Sequence, residues 1–332
     1  MALTSTFADS SLLAHSRAVA DKLAAHLCAK VIGRAETIRL VIIALLADGH
    51  VLLEDYPGSG KTLLARELGA AIAGGSNCDT LVPFRRIQFT PDLLPSDITG
   101  TSVFDASTCT FHFRPGPVFA WIVLADEINR TSPKVQAAVL EPMAEKQVTV
   151  ENVTHRLDDL FFVIATQNPL DSAGTYPLPV AQLDRFMFQI RMKHISRDAE
   201  LEVLRAEQWT AGGLDRVTRE EILDARLALG AIEVSPEVDA CLVDAARAMR
   251  EHQAVAQGVS TRSLKLMRQA LRASALLDGR DYVSAPDIEL LAPYVFAHRL
   301  VLARAVDSAE AVVAACLEAP LERLARRTLS WR

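Results

Sequence analysis

The segment PGSGKT at residues 57–62 carries the residue types most suited to chemistry in this sequence. It follows a short apolar run, His50–Glu54, and precedes an amphipathic stretch, which places it in a turn between a buried strand and a helix. In such a turn, backbone N–H groups converge on an anion, and the N-terminus of the helix adds partial positive charge. The segment therefore predicts a loop for nucleotide phosphates rather than the alternative, a chance glycine-rich turn. The residues predicted to contact the nucleotide are Pro57, Gly58, Ser59, Gly60, Lys61, Thr62 and Leu63.

Two side chains of this loop have predicted chemical roles. Lys61 supplies a full positive charge to the outer phosphates, and the Thr62 hydroxyl can ligate Mg²⁺. Asp55 stands where the general pattern of such loops begins with glycine. Aspartate tolerates a positive φ better than most residues, so we expect the loop to form with the Asp55 carboxylate turned toward the strand.

A pair of carboxylates, Asp126 and Glu127, ends the apolar run in WIVLADEINR. Ligands of parallel sheets bind at the carboxyl ends of the strands, so Asp126 is expected beside the phosphate loop, where it holds Mg²⁺ directly or through water. Glu127 is then placed to polarise an attacking water. The alternative is an acidic cap on a strand end at the surface. A loop that only binds needs no second carboxylate, so Glu127 favours hydrolysis.

Around these residues, strand and helix patterns alternate as far as Met192, which predicts a mostly parallel α/β sheet. From Ser196 onward the periodicity is helical throughout. We therefore predict an α/β core with N-terminal helices over residues 1–195 and an all-helical second domain over residues 196–332. The predicted helices of the second domain are Arg197–Trp209, Thr218–Leu229, Ser235–Glu251, Thr261–Leu277 and Ala285–Arg299.

Composition limits the class of protein. The chain has 332 residues, 50% hydrophobic and 23% charged, with a formal net charge of −6, which argues against a general grip on nucleic acid. Its five cysteines lack CxxC spacing and predict free thiols. The longest apolar run, Leu40–Ala47, is far shorter than the ~20 residues of a membrane span, and no signal peptide is evident. We expect a cytoplasmic protein without membrane insertion.

Five stretches, in order along residues 31–300, resemble the MoxR-type AAA+ ATPases. These are HVLLEDYPGSGKTLLAR, RIQFTPDLLPSDITG, GPVFAWIVLADEINR, FFVIATQNPLDSAGTYPLPVAQLDRFMF and GVSTRSLKLMRQALRASALLDGRDYVSAPDI. The resemblance implies an AAA+ P-loop core, a parallel sheet flanked by helices, followed by an all-helical C-terminal lid domain. It further implies Mg-dependent hydrolysis of ATP to ADP and phosphate.

The resemblance also implies site residues outside the two motifs. Asn168 matches the sensor-1 residue, which orients the attacking water together with Glu127. Arg185 matches the arginine finger that acts on a neighbouring subunit's nucleotide, the alternative being an ion pair with Asp184 or another acid. Arg262 matches the sensor-2 arginine that reaches from the lid to the γ-phosphate, the alternative being a surface arginine. The residues expected to pack near adenine are Val31, Ile32 and Gly33.

Two predicted hairpins, Thr101–Phe113 and Gln147–Leu157, match the helix-2 insert and the pre-sensor-1 hairpin of this family. Such inserts point toward the pore of a ring; alternatively, they only extend the sheet surface. For the C-terminal segment Asp307–Arg332 we expect a short helix covering the lid domain, or a tail that docks a partner.

Three functions remain open from the sequence. The first is an ATP-hydrolysing chaperone ring, expected to be a hexamer, that remodels or matures a client protein with a von Willebrand factor A domain partner, often for metal or cofactor insertion. The second is a nucleic-acid remodelling ring, which the acidic composition disfavours. The third is a nucleotide-gated scaffold without turnover, which Glu127, Asn168 and Arg185 disfavour.

Overall fold

The computed structural model describes residues 3–54, 58–73, 82–168, 174–205, 215–303 and 308–329. Its helices are α1 (Leu3–Lys30), α2 (Ala35–Leu46), α3 (Lys61–Ala70), α4 (Pro95–Thr99), α5 (Pro133–Glu145), α6 (Val180–Leu183), α7 (Arg197–Arg205), α8 (Arg219–Ala228), α9 (Pro236–Glu251), α10 (Thr261–Leu277), α11 (Ala285–Phe296) and α12 (Ala309–Leu329). Its strands are β1 (Val51–Glu54), β2 (Ile72–Ala73), β3 (Val82–Gln88), β4 (Gly100–Asp105), β5 (Thr110–Pro115), β6 (Ala120–Asp126), β7 (Gln147–Val150), β8 (Val153–Arg156), β9 (Phe162–Gln167), β10 (Phe188–Arg191), β11 (Val217–Thr218), β12 (Val255–Gln257) and β13 (Val301–Leu302).

Five of these strands form one sheet in the order β10-β1-β9-β6-β3, and all four pairings in it are parallel. The register places Gln88 beside Asp126, and Glu54 between Gln167 and Arg191. The carboxyl ends of all five strands therefore meet at one edge. This is the edge where the sequence predicts the phosphate loop and the acid pair.

The sheet separates two apolar layers because successive side chains of a strand point to opposite faces. On β1, Val51 and Leu53 belong to the layer that includes α2 and α3, whereas Leu52 belongs to the layer that includes α5. The first layer continues without interruption into the C-terminal helices. The sheet and the helical domain are thus joined by a shared core.

Helices α8 to α12 form the C-terminal domain, with two-residue or three-residue strands between some of them. Hydroxyl caps define several helix starts: Thr218, Ser235 and Ser260 each accept a hydrogen bond from the backbone N–H three residues later. Helix α12 packs against α9 and α11, and it is longer than the short C-terminal helix that the sequence predicts. Helix α1 packs against α8 and α10 as well as against α2 and α3.

The predicted fold class, a parallel α/β core with a helical C-terminal domain, is confirmed. Both hairpins are also present, as antiparallel pairs β4–β5 and β7–β8. The helix predicted over Ala285–Arg299 was too long, because α11 ends at Phe296 and a 3₁₀ turn covers Ala297–Arg299. In the core, α3 ends at Ala70, and Ile72 and Ala73 pair as a parallel strand with Val217 and Thr218.

Among the described residues, no helix combines the length and the hydrophobicity that a membrane span requires. Within the same part of the chain, four cysteines are free thiols, of which Cys28 and Cys109 are exposed and Cys241 and Cys316 are buried.

Candidate functional site

The glycine-rich turn between β1 and α3 has the backbone conformation that an anion-binding loop needs. Gly58 has a φ of 89° and Gly60, which caps α3, has a φ of 92°. A Cβ atom at either position would meet no heavy atom within 4 Å, so backbone conformation rather than space favours glycine here. Asp55 and Pro57 lie outside the described residues, so the predicted orientation of Asp55 remains a prediction.

Asp126, the last residue of β6, is held by two neighbouring strands. The Thr166 hydroxyl on β9 donates to Asp126 Oδ1 at 2.6 Å. From β3, Arg86 donates to Asp126 Oδ2 through Nη2 at 2.6 Å and Nε at 3.0 Å. Asp126 is only 7% exposed, so these bonds fix its carboxylate at the sheet edge.

Glu127 occupies a left-handed conformation, with a φ of 59° that is uncommon for a residue other than glycine. Its N–H donates to Thr166 Oγ1 at 2.8 Å. Its carboxylate Oε2 accepts from Gln88 Nε2 at 3.0 Å and forms an ion pair with Arg130 Nε at 3.1 Å. Backbone and side chain are therefore both oriented, and the carboxylate remains in contact with the cavity beside the loop.

Two adjoining cavities gather most of the predicted site residues. The first, of about 370 Å³, is lined by Gly58, Ser59, Gly60, Lys61, Thr62, Leu63, Arg86, Asp126, Glu127, Thr166, Gln167 and Asn168. The second, of about 460 Å³, shares Gly58, Ser59, Gly60 and Leu63 with the first and also contacts Val31 and Ile32. A phosphate chain in the first cavity and a base in the second would be continuous across the loop.

Gly33 supports the second cavity from outside it. Its φ is 72°, and a Cβ there would lie 2.8 Å from the Ala199 Cβ and 3.0 Å from Ile195 Cγ2. The chain therefore turns tightly against α7 at this point, and glycine is the residue that permits both the turn and the contact.

The two remaining predicted arginines line neither of these cavities. Arg185 donates through Nη1 to the Leu140 carbonyl on α5. Asp184, which the alternative interpretation offered as an ion-pair partner of Arg185, pairs with Arg299 at 2.7 Å. Arg262 is exposed in the first turn of α10.

The donor set at the sheet edge fits a magnesium ion that arrives with a nucleotide. The Thr62 hydroxyl and the Asp126 carboxylate are hard oxygen ligands, which Mg²⁺ prefers. Among the residues that the structure describes, no group of three or more histidine, cysteine or carboxylate side chains could hold a metal ion by itself. Phosphate oxygens and water would therefore complete the coordination, as is usual for Mg²⁺.

Sequence reasoning missed four side chains of the site: Arg86 and Gln88 on β3, and Thr166 and Gln167 on β9. A signal for the first two exists in the sequence. Arg86 and Gln88 alternate around Ile87 near the carboxyl end of a strand, so both point to one face at the edge where Asp126 was expected. Thr166 carried no comparable signal, because a threonine in a central strand is ordinary.

Comparisons with known proteins agree with this geometry. Residues 50–188 match the family model described as ATPase family associated with various cellular activities (AAA), and residues 247–316 match the AAA lid domain. A crystal structure at 2.00 Å of a protein from Cytophaga hutchinsonii superposes with a TM-score of 0.84 at 33% identity, covering 96% of this chain and 98% of that one.

Several relatives extend the similarity over nearly the whole chain. YeaC from Bacillus subtilis is 45% identical over 284 residues, which are 85% of this chain and 86% of that protein. Chaperone MoxR1 from Mycobacterium tuberculosis is 39% identical over 82% of this chain and 73% of its own length. Protein MoxR from Paracoccus denitrificans is 31% identical over 87% of this chain and 91% of its own length. With the phosphate loop, the acid pair and the C-terminal domain in these positions, the chain belongs to the MoxR family of AAA+ ATPases.

Proposed function

We propose that this chain is a MoxR-type chaperone that hydrolyses ATP within a ring and uses the cycle to remodel or mature a partner protein. The observation that carries the proposal is the placement of Glu127. Gln88 and Arg130 contact this carboxylate, and Thr166 accepts from the backbone N–H of the same residue, in the cavity that also contains Lys61 and the loop glycines. A site that only binds nucleotide has no need of a second oriented carboxylate.

The two cavities bind different parts of the nucleotide. Val31 and Ile32 contact the adenine base in the second cavity, with Gly33 shaping its wall. The loop amides and Lys61 hold the phosphates, while Thr62 and Asp126 hold Mg²⁺. When bound, Mg²⁺ neutralises negative charge on the phosphate oxygens. Arg86 adds a second cation on the wall of the first cavity.

The catalytic step uses groups from the sheet edge. Glu127 accepts a proton from the attacking water, and Asn168, which lines the same cavity, orients that water. We assign Asp126 to the metal side, where Thr166 and Arg86 hold its two oxygens in place.

Arg185 and Arg262 serve the reaction from outside the cavity. We assign Arg185 to a neighbouring subunit's nucleotide, where a guanidinium stabilises charge on the phosphoryl group in transfer. Arg185 lines neither cavity of its own chain, which supports this assignment. Arg262 lies at the start of α10 in the lid domain, from where lid movement would bring it to the γ-phosphate. The assembly implied is a ring, with six subunits as the family expectation.

The partner is proposed from the family. One relative carries the name chaperone, and a von Willebrand factor A domain protein is the adaptor that we infer, with metal or cofactor insertion as the outcome. The β4–β5 hairpin offers a contact surface, since Phe104 and Phe111 are 51% and 69% exposed and their ring centroids lie 5.2 Å apart. Co-elution of such an adaptor with the ATP-loaded Glu127→Gln variant tests this part, and we expect Phe104→Ser to abolish it. Equal retention of the adaptor with and without Phe104→Ser would show that the hairpin does not bind the adaptor.

Phosphate release measured over a range of protein concentrations tests the central proposal. We expect turnover per chain to rise with concentration, because each site needs an arginine from its neighbour, and to vanish in Lys61→Ala. ATP bound without phosphate release at any concentration would identify a scaffold instead. Turnover that stays constant down to the isolated subunit would rule out the trans arrangement.

A further inference from the structure

Arg299 is a buried arginine of the lid domain that the catalytic scheme does not use. It lies in the 3₁₀ turn after α11 and is 2% exposed. An arginine guanidinium has five N–H donors, and burial without partners for them is strongly unfavourable. The hydrogen-bond acceptors of Arg299 therefore indicate its role.

Four of the five donors of Arg299 point to one short segment of the core, residues 184–187. Nε donates to Asp184 Oδ1 at 2.7 Å, and Nη2 donates to the Asp184 carbonyl at 3.2 Å and the Phe186 carbonyl at 2.5 Å. Nη1 donates to the Met187 carbonyl at 3.4 Å and, within the lid, to the Val295 carbonyl. A single guanidinium therefore holds the backbone on both sides of Arg185.

Asp184 accepts further hydrogen bonds from side chains of the lid. The Ser263 hydroxyl, which is fully buried, donates to Asp184 Oδ1 at 3.1 Å, and the Ser260 hydroxyl donates to Oδ2 at 3.3 Å. Ser260 is also the cap of α10, the helix that carries Arg262. The residue before Arg185 is thus tied to two separate parts of the lid.

Arg299 remains charged at neutral pH. Burial lowers the pKa of Arg299 to about 10, while the hydrogen bond and charge of Asp184 act in the opposite direction. Apolar packing alone would join lid and core, as it does elsewhere in the shared core. The polar contacts of Arg299 and Asp184 also fix the path of the backbone from which the Arg185 side chain projects.

We propose that Arg299 and Asp184 position Arg185, so that the lid of one subunit controls the arginine that serves the nucleotide of the next subunit. This inference rests on the proposed trans role of Arg185. It makes lid movement, driven by a subunit's own nucleotide, a signal to its neighbour. Arg299 and Asp184 are positioning residues, because neither touches the nucleotide.

Complementation in mixed assemblies tests the inference with the full-length chain. Arg299→Lys retains the charge but has three donors from one point and cannot hold four acceptors in the segment. We expect turnover of this variant to fall by about tenfold or more while nucleotide affinity changes by less than about twofold. Mixing it with Lys61→Ala, whose Arg185 is intact, should restore turnover at the Arg299→Lys sites. Asp184→Asn should behave in the same way if Arg299→Lys does not fold.

A matched control is Arg280→Lys, since Arg280 is a lid arginine that bonds Asp278 and Asp287 within the lid. It should show near-normal turnover and no gain from Lys61→Ala. Arg185→Ala is the reference: its rescue by Lys61→Ala reports the trans role itself. Rescue of Arg185→Ala without rescue of Arg299→Lys or Asp184→Asn overturns the positioning inference alone. Failure of Arg185→Ala to be rescued, in assemblies shown to be mixed, overturns the proposed trans function and the inference with it.

Discussion

Glu127 is held by side chains from three separate elements: Gln88 on β3, Arg130 in the following turn and Thr166 on β9. Its positive φ of 59° places strain at the residue proposed as base. Strain of this kind persists where surrounding contacts determine the conformation, and here the sheet edge supplies those contacts. The carboxylate is therefore positioned before any substrate enters.

Replacing this carboxylate by an amide should separate binding from hydrolysis. Glu127→Gln keeps the size and the ability to accept from Gln88, but it cannot take a proton from water. We expect a turnover lower by about 10²–10⁴ with ATP affinity nearly unchanged, measured by phosphate release and by nucleotide titration. Glu141→Gln, an exposed carboxylate on α5, is the control and should have normal turnover. Full turnover in Glu127→Gln would show that the base lies elsewhere.

At this scale the sequence located the loop and the acid pair because parallel strands place their carboxyl ends at one edge. Lys61, Asp126, Glu127 and Asn168 line one cavity, although they are far apart in the chain. Their individual roles remain predictions. Arg86 was missed: its alternation with Gln88 around Ile87 indicates the face on which it lies, but its bond to Asp126 also requires the pairing of β3 with β6, which no local pattern encodes.

At the level of the elements, one histidine ring connects two strands and a helix. His50, directly before β1, is 4% exposed. Its Nδ1 accepts from the Val163 N–H on β9 at 3.1 Å, and its Nε2 lies 3.1 Å from the Met143 carbonyl on α5, to which it must donate. Both nitrogens are thereby used by the neutral ring, and a second proton on Nδ1 would face the Val163 donor.

This arrangement predicts acid sensitivity of the fold. Burial lowers the pKa of His50 to about 4, with Arg226 and Lys146 acting in the same direction and the Met143 carbonyl and Asp48 opposing. Between pH 6.5 and 4, His50 is protonated in the unfolded chain but neutral in the folded chain, so the free energy of unfolding falls as pH falls through this window. The loss from His50 is about 1.4 kcal/mol per pH unit there, and none arises above pH 6.5. His298, whose pKa burial also lowers, adds in the same direction.

Urea unfolding at several pH values between 8 and 4.5 measures this effect. His50→Asn retains an acceptor for Val163 but cannot be protonated; it should be less stable at pH 8 and should lose part of the wild-type pH slope. His15→Asn, which replaces an exposed histidine on α1, should keep the full slope. An unchanged slope in His50→Asn would refute the assignment.

The ends of helices agree with the sequence prediction where hydrophobic periodicity is strong, and the ends of elements were harder to predict where pairing with a distant strand determines them. Helix α10 covers the predicted Thr261–Leu277. Strand β3 begins at Val82, and its first residues pair with β6 while their side chains stay partly exposed. Such residues lack the apolar alternation by which a strand is recognised.

For the whole molecule, the shared core is the main departure from a simple division into two domains. The predicted boundary at residues 195 and 196 separates the sheet from the C-terminal helices, yet α1 packs on α8 and α10 of the lid domain. Amphipathic periodicity reveals that α1 has a buried face but not which helices cover it. Lid and core are also joined by the Arg299 contacts beside Arg185. Movement of the lid would therefore alter contacts both along α1 and beside Arg185.

The central claim is that ATP is hydrolysed between adjoining subunits, with Lys61 and Glu127 on one side and Arg185 from the other. The most direct test is phosphate release from equal mixtures of Arg185→Ala and Lys61→Ala chains, each inactive alone. The claim predicts recovered turnover, because an Arg185→Ala site beside a Lys61→Ala neighbour regains both halves of the site. Mixed assemblies that form but release no phosphate above the separate variants would contradict it.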